Sequence, residues 1–307
     1  MPMFMKPSHA LRASLLLALP WWCGQALAFP ALKDEPLQPL MAAATAEYQR
    51  YMAQPVALAA PTDGQAWPCA VSQAELDVFA NTVDSDNDPV AKAELVNDAR
   101  SGGLPPSRIV YANKVVTPVR AQCEGGKLSG PVEFWIEYDQ TIGSGQITLK
   151  YHNLIRVRAQ ALQGRPDGAV LVTGTTLSQQ TVYADRATAD MMAAQPKPKI
   201  STVFFMAFTV AGPAPKTSVA IARTTVDGAL SLTTRTRFSR PDGQVVEDGY
   251  GAFGGPGHHD SRTLRRNGKL HGPQQTFAGM MGQFPIAAST VCWQEGEKVL
   301  TNTCPAD

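Results

Sequence analysis

From residue 106 onward, segments rich in Val, Ile, Thr and aromatic residues are separated by Asp-Gly, Asn-Gly and Pro-Asp-Gly. These dipeptides supply the positive φ that tight hairpin turns require, so the pattern restricts this part of the chain to successive antiparallel strands. Strands are predicted over 132–138, 146–157, 169–182, 203–210, 218–225 and 230–238. Leu230 and Leu232 alternate with Ser231 and Thr233, so one sheet face is buried while the other stays wet. Gln195-Pro196-Lys197-Pro198-Lys199 reads as a stiff, exposed connector inside the β region.

Before this point the period is helical. Leu37, Leu40, Met41, Ala44, Tyr48 and Tyr51 recur at three- and four-residue spacing, which puts them on one helix face. Ser72 followed by Glu75 is a capping-box start for a helix through Phe79. Asp88-Pro89 reads as N-cap and first residue of a helix ending near Arg100. Gly102-Gly103-Leu104-Pro105-Pro106 separates the two regimes. The expected fold class is α+β, mainly antiparallel β, with a helical region over 29–105 and a hairpin-rich sheet over 106–307.

Asp84, Asp86 and Asp88 begin like a calcium-binding EF-hand loop. The loop then carries Pro89 where glycine is needed and Leu95 where a bidentate glutamate is needed. An acidic turn capping the next helix accounts for the same residues.

Residues 1–28 have the layout of a secretory signal peptide. Lys6 and Arg12 precede an apolar stretch over 13–22, and Ala26-Leu27-Ala28 places small residues before Phe29. The stretch is too short to span a bilayer. Cys23 follows Pro20-Trp21-Trp22, which does not match a lipobox, so it leaves with the leader. The mature protein is thus expected in the periplasm or outside the cell, beginning near Phe29.

Cys69, Cys123, Cys292 and Cys304 remain, an even number in an oxidising compartment, which argues for two disulfides. Cys292 and Cys304 are near neighbours, and Cys69 with Cys123 follows by elimination. There is no CxxC pair and no histidine at ligand spacing from a cysteine, so zinc is not expected. Of the 27 basic residues two lie in the leader, leaving 25 against 26 acidic ones. A near-neutral chain has no electrostatic footprint for nucleic acid or an anionic membrane surface. The apolar run over 203–210 is far too short to cross a membrane and reads as a buried strand.

One internal similarity stands out. Gly126-Lys127-Leu128-Ser129-Gly130-Pro131 followed by Trp135 matches Gly268-Lys269-Leu270-His271-Gly272-Pro273 followed by Phe277. The first glycine suits a hairpin turn, and the second permits a tight bend. Arg165-Pro166-Asp167-Gly168 likewise recurs as Arg240-Pro241-Asp242-Gly243, and Trp293 to Val299 reads as a further strand–turn–strand. These residues resemble the MORN-like repeats, especially the variant in bacterial proteins of the YwqK antitoxin type. Those read Asn-Gly-Lys-Leu-x-Gly and then an aromatic, as Asn267 to Gly272 and Phe277 do here. The similar segments lie near 125–135 and 267–299, about a tenth of the chain, and are far apart where family members run their repeats in tandem. The resemblance implies repeated β-hairpins and a binding or scaffolding role in the envelope of a Gram-negative bacterium.

Candidate functional residues cluster in a glycine-rich stretch, Gly249 to Gly257, and its sequel His258-His259-Asp260. Tyr250 and Phe253 could present aromatics to an envelope protein or glycan. His258 and His259 could serve a periplasmic hydrolase or metal-dependent enzyme, the alternative reading. Neighbouring side chains on a strand point to opposite faces, however, so the two would not share an ion. No GxSxG, HExxH or phosphate loop accompanies them. No catalytic residue, cofactor or metal ligand is therefore assigned, and the expected role is non-catalytic binding.

Overall fold

A computed structural model of the protein describes residues 29–55, 58–102, 107–144, 147–193, 200–210, 217–300 and 304. The expected leader over residues 1–28, most of the Gly102–Pro106 boundary and the 195–199 connector lie outside the described residues.

Four helices form. α1 (Leu37–Ala53) buries Leu37, Leu40, Met41, Ala44 and Tyr48, the face expected from their spacing. α2 (Gln73–Ala80) begins with the expected capping box: Glu75 N donates to Ser72 Oγ at 3.2 Å and Ser72 N to Glu75 Oε2 at 2.8 Å. α3 (Pro89–Gly102) is capped by Asp88, whose Oδ1 accepts from Val90 N and Ala91 N. Asp84 accepts from Tyr111 N at 2.8 Å and Asp86 pairs with Arg108, so the three aspartates have three separate structural partners. α4 (Arg186–Ala193), capped by Asp185, was not anticipated.

The strands are β1 (Arg108–Arg120), β2 (Cys123–Glu124), β3 (Lys127–Leu128), β4 (Gly130–Ser144), β5 (Ile147–Leu162) and β6 (Arg165–Tyr183). After α4 come β7 (Ile200–Thr209), β8 (Thr217–Val226), β9 (Ala229–Ser239), β10 (Gln244–Tyr250), β11 (His259–Arg266) and β12 (Lys269–Leu270). The chain continues through β13 (Gly272–Thr276), β14 (Gly279–Met281), β15 (Phe284–Ile286), β16 (Ser289–Gln294) and β17 (Glu297–Val299). Thirteen of them form one antiparallel sheet in the order β1-β4-β5-β6-β7-β8-β9-β10-β11-β13-β16-β17, with β12 folded back on β11. Between β4 and β11 each strand pairs with its successor, as a hairpin-punctuated sequence requires.

The sheet is packed on both faces, and β7 shows how. Phe204, Met206 and Phe208 join one core, with Leu76 and Phe79 of α2 and with Phe134, Ile136, Ile155, Val157 and Val172. Phe205 and Ala207, one residue out of phase, join the other, with the apolar face of α1, Val219, Ile221 and Leu232. α1 crosses that second face: Glu47 pairs with Arg158 of β5, while Asp34 just before the helix acts electrostatically on Tyr250 and Arg262 of β10 and β11.

α2 and α3 share the first face, and their connection shows that it is concave. Ser85 N donates to Ile109 O at the β1 edge, and twelve residues later Asn97 Nδ2 donates to Gly268 O beside β11. The intervening chain, mostly helical, reaches about 24 Å. Eight strand spacings in a flat sheet would separate β1 from β11 by about 38 Å. The sheet therefore curls around α2 and α3. α3 is clamped there by Arg265, which bonds Asp98 at 2.7 and 3.0 Å and Glu247 at 2.9 Å. The β1 edge is covered by Gln65 N on Pro118 O and by Ser85, which blunts strand addition.

The two matched segments have matching backbones. Gly125 and Gly126 (φ 58° and 77°) turn β2 into β3, and Asn267 and Gly268 (φ 52° and 73°) turn β11 into β12. Ser129 N donates to Gln122 O, and His271 N to Leu264 O. Gly130 and Gly272 follow at φ 79° and 86°. The Arg-Pro-Asp-Gly pair does not match: 165–168 opens β6, whereas Arg240 to Gly243 closes the β9–β10 hairpin, with Gly243 N on Arg240 O. Trp293 to Val299 is the expected strand–turn–strand, β16 to β17.

Both disulfides pair as expected. Cys69–Cys123 ties the segment before α2 to β2, and Cys292–Cys304 ties β16 to the C-terminal tail.

Candidate functional site

The glycine-rich stretch joins β10 to β11, and a bulge there decides where its side chains go. Asp248 pairs with Arg262 and Gly249 with Ser261, but Tyr250 pairs with His259, skipping Asp260. The skip brings His259 onto the same outer face as Asp248, Tyr250 and Arg262 and turns Asp260 toward the loop.

Asp260 is 2% exposed. Its carboxylate accepts from Ala252 N at 2.5 Å and Phe253 N at 3.0 Å, and lies 3.0 Å from His258 Nδ1. It thus fastens the loop from inside. Gly251 N donates to His258 O, closing the loop's mouth. Gly251 sits at φ 90° with the Leu232 carbonyl 2.3 Å from where a Cβ would be, so no other residue fits without movement.

On the outer face Asp248 is buried and held by both ends of Arg262, Nε on Oδ1 and Nη2 on Oδ2, each at 2.8 Å. His259 Nε2 lies 3.0 Å from the same Oδ1. The His259 ring is sandwiched between Tyr250, stacked at 4.8 Å, and Phe277 at 4.2 Å. Burial, reinforced by the Asp248 charge, pushes the Tyr250 hydroxyl up to about 12.

Tyr250 and His259 are therefore brought together, while His258 and Phe253 belong to the loop. The histidines bind separate carboxylates and do not converge: His258 lies in the loop before β11, and the bulge places His259 on the outer face. Among the described residues no group of three His, Cys, Asp or Glu side chains is placed to hold a metal ion. Sequence reasoning missed Asp248 and Arg262. Their i to i+14 separation has no signature until the register is known.

Phe253 leads to an exposed apolar hairpin. Its carbonyl accepts from Met280 N, and its side chain packs on Gly279 of the β14–β15 hairpin, whose backbone leaves no room for a Cβ. That hairpin forms its own two-stranded sheet beside the main one. Met280, Met281 and Phe284 are exposed, Phe284 to 72%. Residues 272–294 contain no Asp, Glu, Lys or Arg, and neither do residues 249–257.

No family model matches the chain, and no curated protein or solved structure matches it significantly. Two disulfides fit an extracellular or periplasmic protein. Among the described residues no helix is long and apolar enough to cross a membrane.

Proposed function

We propose that this is an exported, non-catalytic binding or scaffolding module of the bacterial envelope, built from degenerate MORN-like hairpins. The observation that carries the reading is the charge-free β14–β15 hairpin, with Met280, Met281 and Phe284 exposed beside the Phe253 loop. Exposed Met and Phe on a projecting hairpin are what a protein contact surface uses, since they gain most from leaving water. The His259, Tyr250 and Phe277 stack and the Asp248–Arg262 pair stiffen the base of this surface. Asp248 and Asp260 are fully engaged in holding strand and loop, which supports a framework role for the histidine segment over a chemical one. The matching backbones of the 125–130 and 267–272 segments support the repeat kinship.

The test is site-specific photo-crosslinking from position 284 in intact envelopes. One discrete adduct, lost when the probe moves to Lys150 on the far side of the sheet and when Met281 becomes Ser, is the expected outcome. Equal labelling from both positions would remove the hairpin from the reading.

A further inference from the structure

The concave face carries a second feature, separate from the hairpin. Above the apolar core, the pairing aligns Tyr138, Asn153, Thr176, Thr202, Thr224 and Ser231 in one row across β4 to β9. Direct antiparallel partners project to the same side, and Tyr138 lies in the concave core, so the whole row faces inward. The next step outward adds Gln140 and Tyr151, which are paired with each other. None of these side chains is charged. The row spans about 24 Å at ordinary strand spacing, the length of an extended oligomer rather than of a single small molecule.

Asn153 makes this more than a wet sheet face. It is only 2% exposed. Its Oδ1 accepts from Thr176 Oγ1 at 2.7 Å, while its Nδ2 is a buried donor with no partner among the described residues. A buried amide donor left unpaired costs about 1–3 kcal/mol, so this one calls for an acceptor supplied by water or by a bound ligand. The neighbouring hydroxyls each both donate and accept.

We infer that this row is a binding strip for a neutral glycan. A sugar chain presents many uncharged hydroxyls that donate and accept alternately, which matches Thr, Ser, Tyr and Asn side chains in a line. Its apolar ring faces can rest on Tyr151, which is only partly buried. An anionic polymer would find no cation along the row, and an extended peptide would seek a free strand edge rather than a sheet face.

The test is binding of the purified mature chain to an immobilised panel of neutral oligomers of glucose, mannose, galactose and N-acetylglucosamine, with hits titrated in solution. Saturable binding to at least one is expected. Asn153→Leu should weaken it at least about tenfold, a loss equivalent to about 1.4 kcal/mol, with an unchanged or higher melting temperature because the unpaired donor is gone. Thr202→Val, a milder change in the same row, should weaken it in the same direction. Phe284→Ser should bind the sugar like wild type, which separates this strip from the hairpin surface. No binding to any panel member, or wild-type affinity in the Asn153→Leu and Thr202→Val variants, overturns the inference.

Discussion

The backbone N–H of Gly296 donates to the Leu270 carbonyl at 2.9 Å. The same bond, at the same length, joins Gly164 to Leu128. In each case a Lys-Leu hairpin is locked to the turn of a later hairpin, Gln163-Gly164 or Glu295-Gly296, whose residues all have positive φ. A helix then sits against each turn: Glu75 of α2 beside Gly164, and Ser101 of α3, whose Oγ donates to the Gly296 carbonyl. Two distant six-residue similarities thus correspond to two copies of one hydrogen-bonded corner.

That corner depends on Gly130 and Gly272, which hold positive φ where a β-branched residue is strained. Gly→Val at either position should lower stability by at least about 1–2 kcal/mol in denaturant unfolding. Wild-type midpoints for both variants would mean that neither glycine is under a structural demand.

Much of the fold was legible because it rests on local signals. The α1 spacing, the Ser72–Glu75 box, the Asp88 cap and the turn dipeptides each act within a few residues. What lay hidden depends on register. Nothing local places α1 on one side of the sheet and α2 and α3 on the other, since the central strand β7 is apolar in both phases, Phe204, Met206 and Phe208 facing one core and Phe205 and Ala207 the other. Of the candidate site, Tyr250, Phe253, His258 and His259 were visible as residue types in a glycine-rich stretch. Their partners Asp248, Arg262 and Phe277 were not, because the bulge at Tyr250 brings them together.

Asp260 should matter more than either histidine. Its buried carboxylate satisfies two backbone donors of the 251–258 loop, so Asp260→Ala leaves both unpaired. A loss of about 1–3 kcal/mol is expected, with faster hydrogen exchange at Ala252 and Phe253. Unchanged exchange at those amides would contradict the clamp.

The disulfides predict the thiol count. Freshly purified mature protein should show no alkylated cysteine until reduced, as read by intact mass. On the loop-entropy account, Cys69–Cys123, closing 54 residues, contributes about 4 kcal/mol and Cys292–Cys304, closing 12, about 3. Reduction should therefore lower the melting temperature, and Cys69→Ser with Cys123→Ser should lower it more than the C-terminal pair of changes. Two or more reactive thiols in the native protein would contradict the pairing.

Alkaline stability should be set by buried tyrosines. Burial pushes Tyr111 from 10.0 up to about 12, against the pull of the Gln140 bond, and raises Tyr138 and Tyr250 in the same direction. A hydroxyl whose folded pKa is raised contributes stability that is complete below the unfolded value of about 10 and is lost as pH climbs through about 12. The melting temperature should fall across that window, and less steeply in Tyr111→Phe. Phenolate absorbance rising in one step near pH 10 in the folded protein would refute the burial account.

The last prediction sets chemistry against framework at the histidine segment. His259 is packed between two rings and shares Asp248 with Arg262, which keeps both carboxylate oxygens occupied if the histidine is removed. His258 contributes one bond to Asp260, which retains its two backbone donors without it. The double change His258→Ala, His259→Ala should therefore cost little beyond the lost stacking, about 1–2 kcal/mol, and leave the position-284 crosslink in place. A hydrolase or metalloenzyme would behave differently, because its metal or its base would go with the imidazoles. Elemental analysis of the purified mature protein should find no stoichiometric zinc. One metal per chain, lost in the double variant, would overturn the non-enzymatic reading and make this loop an active site.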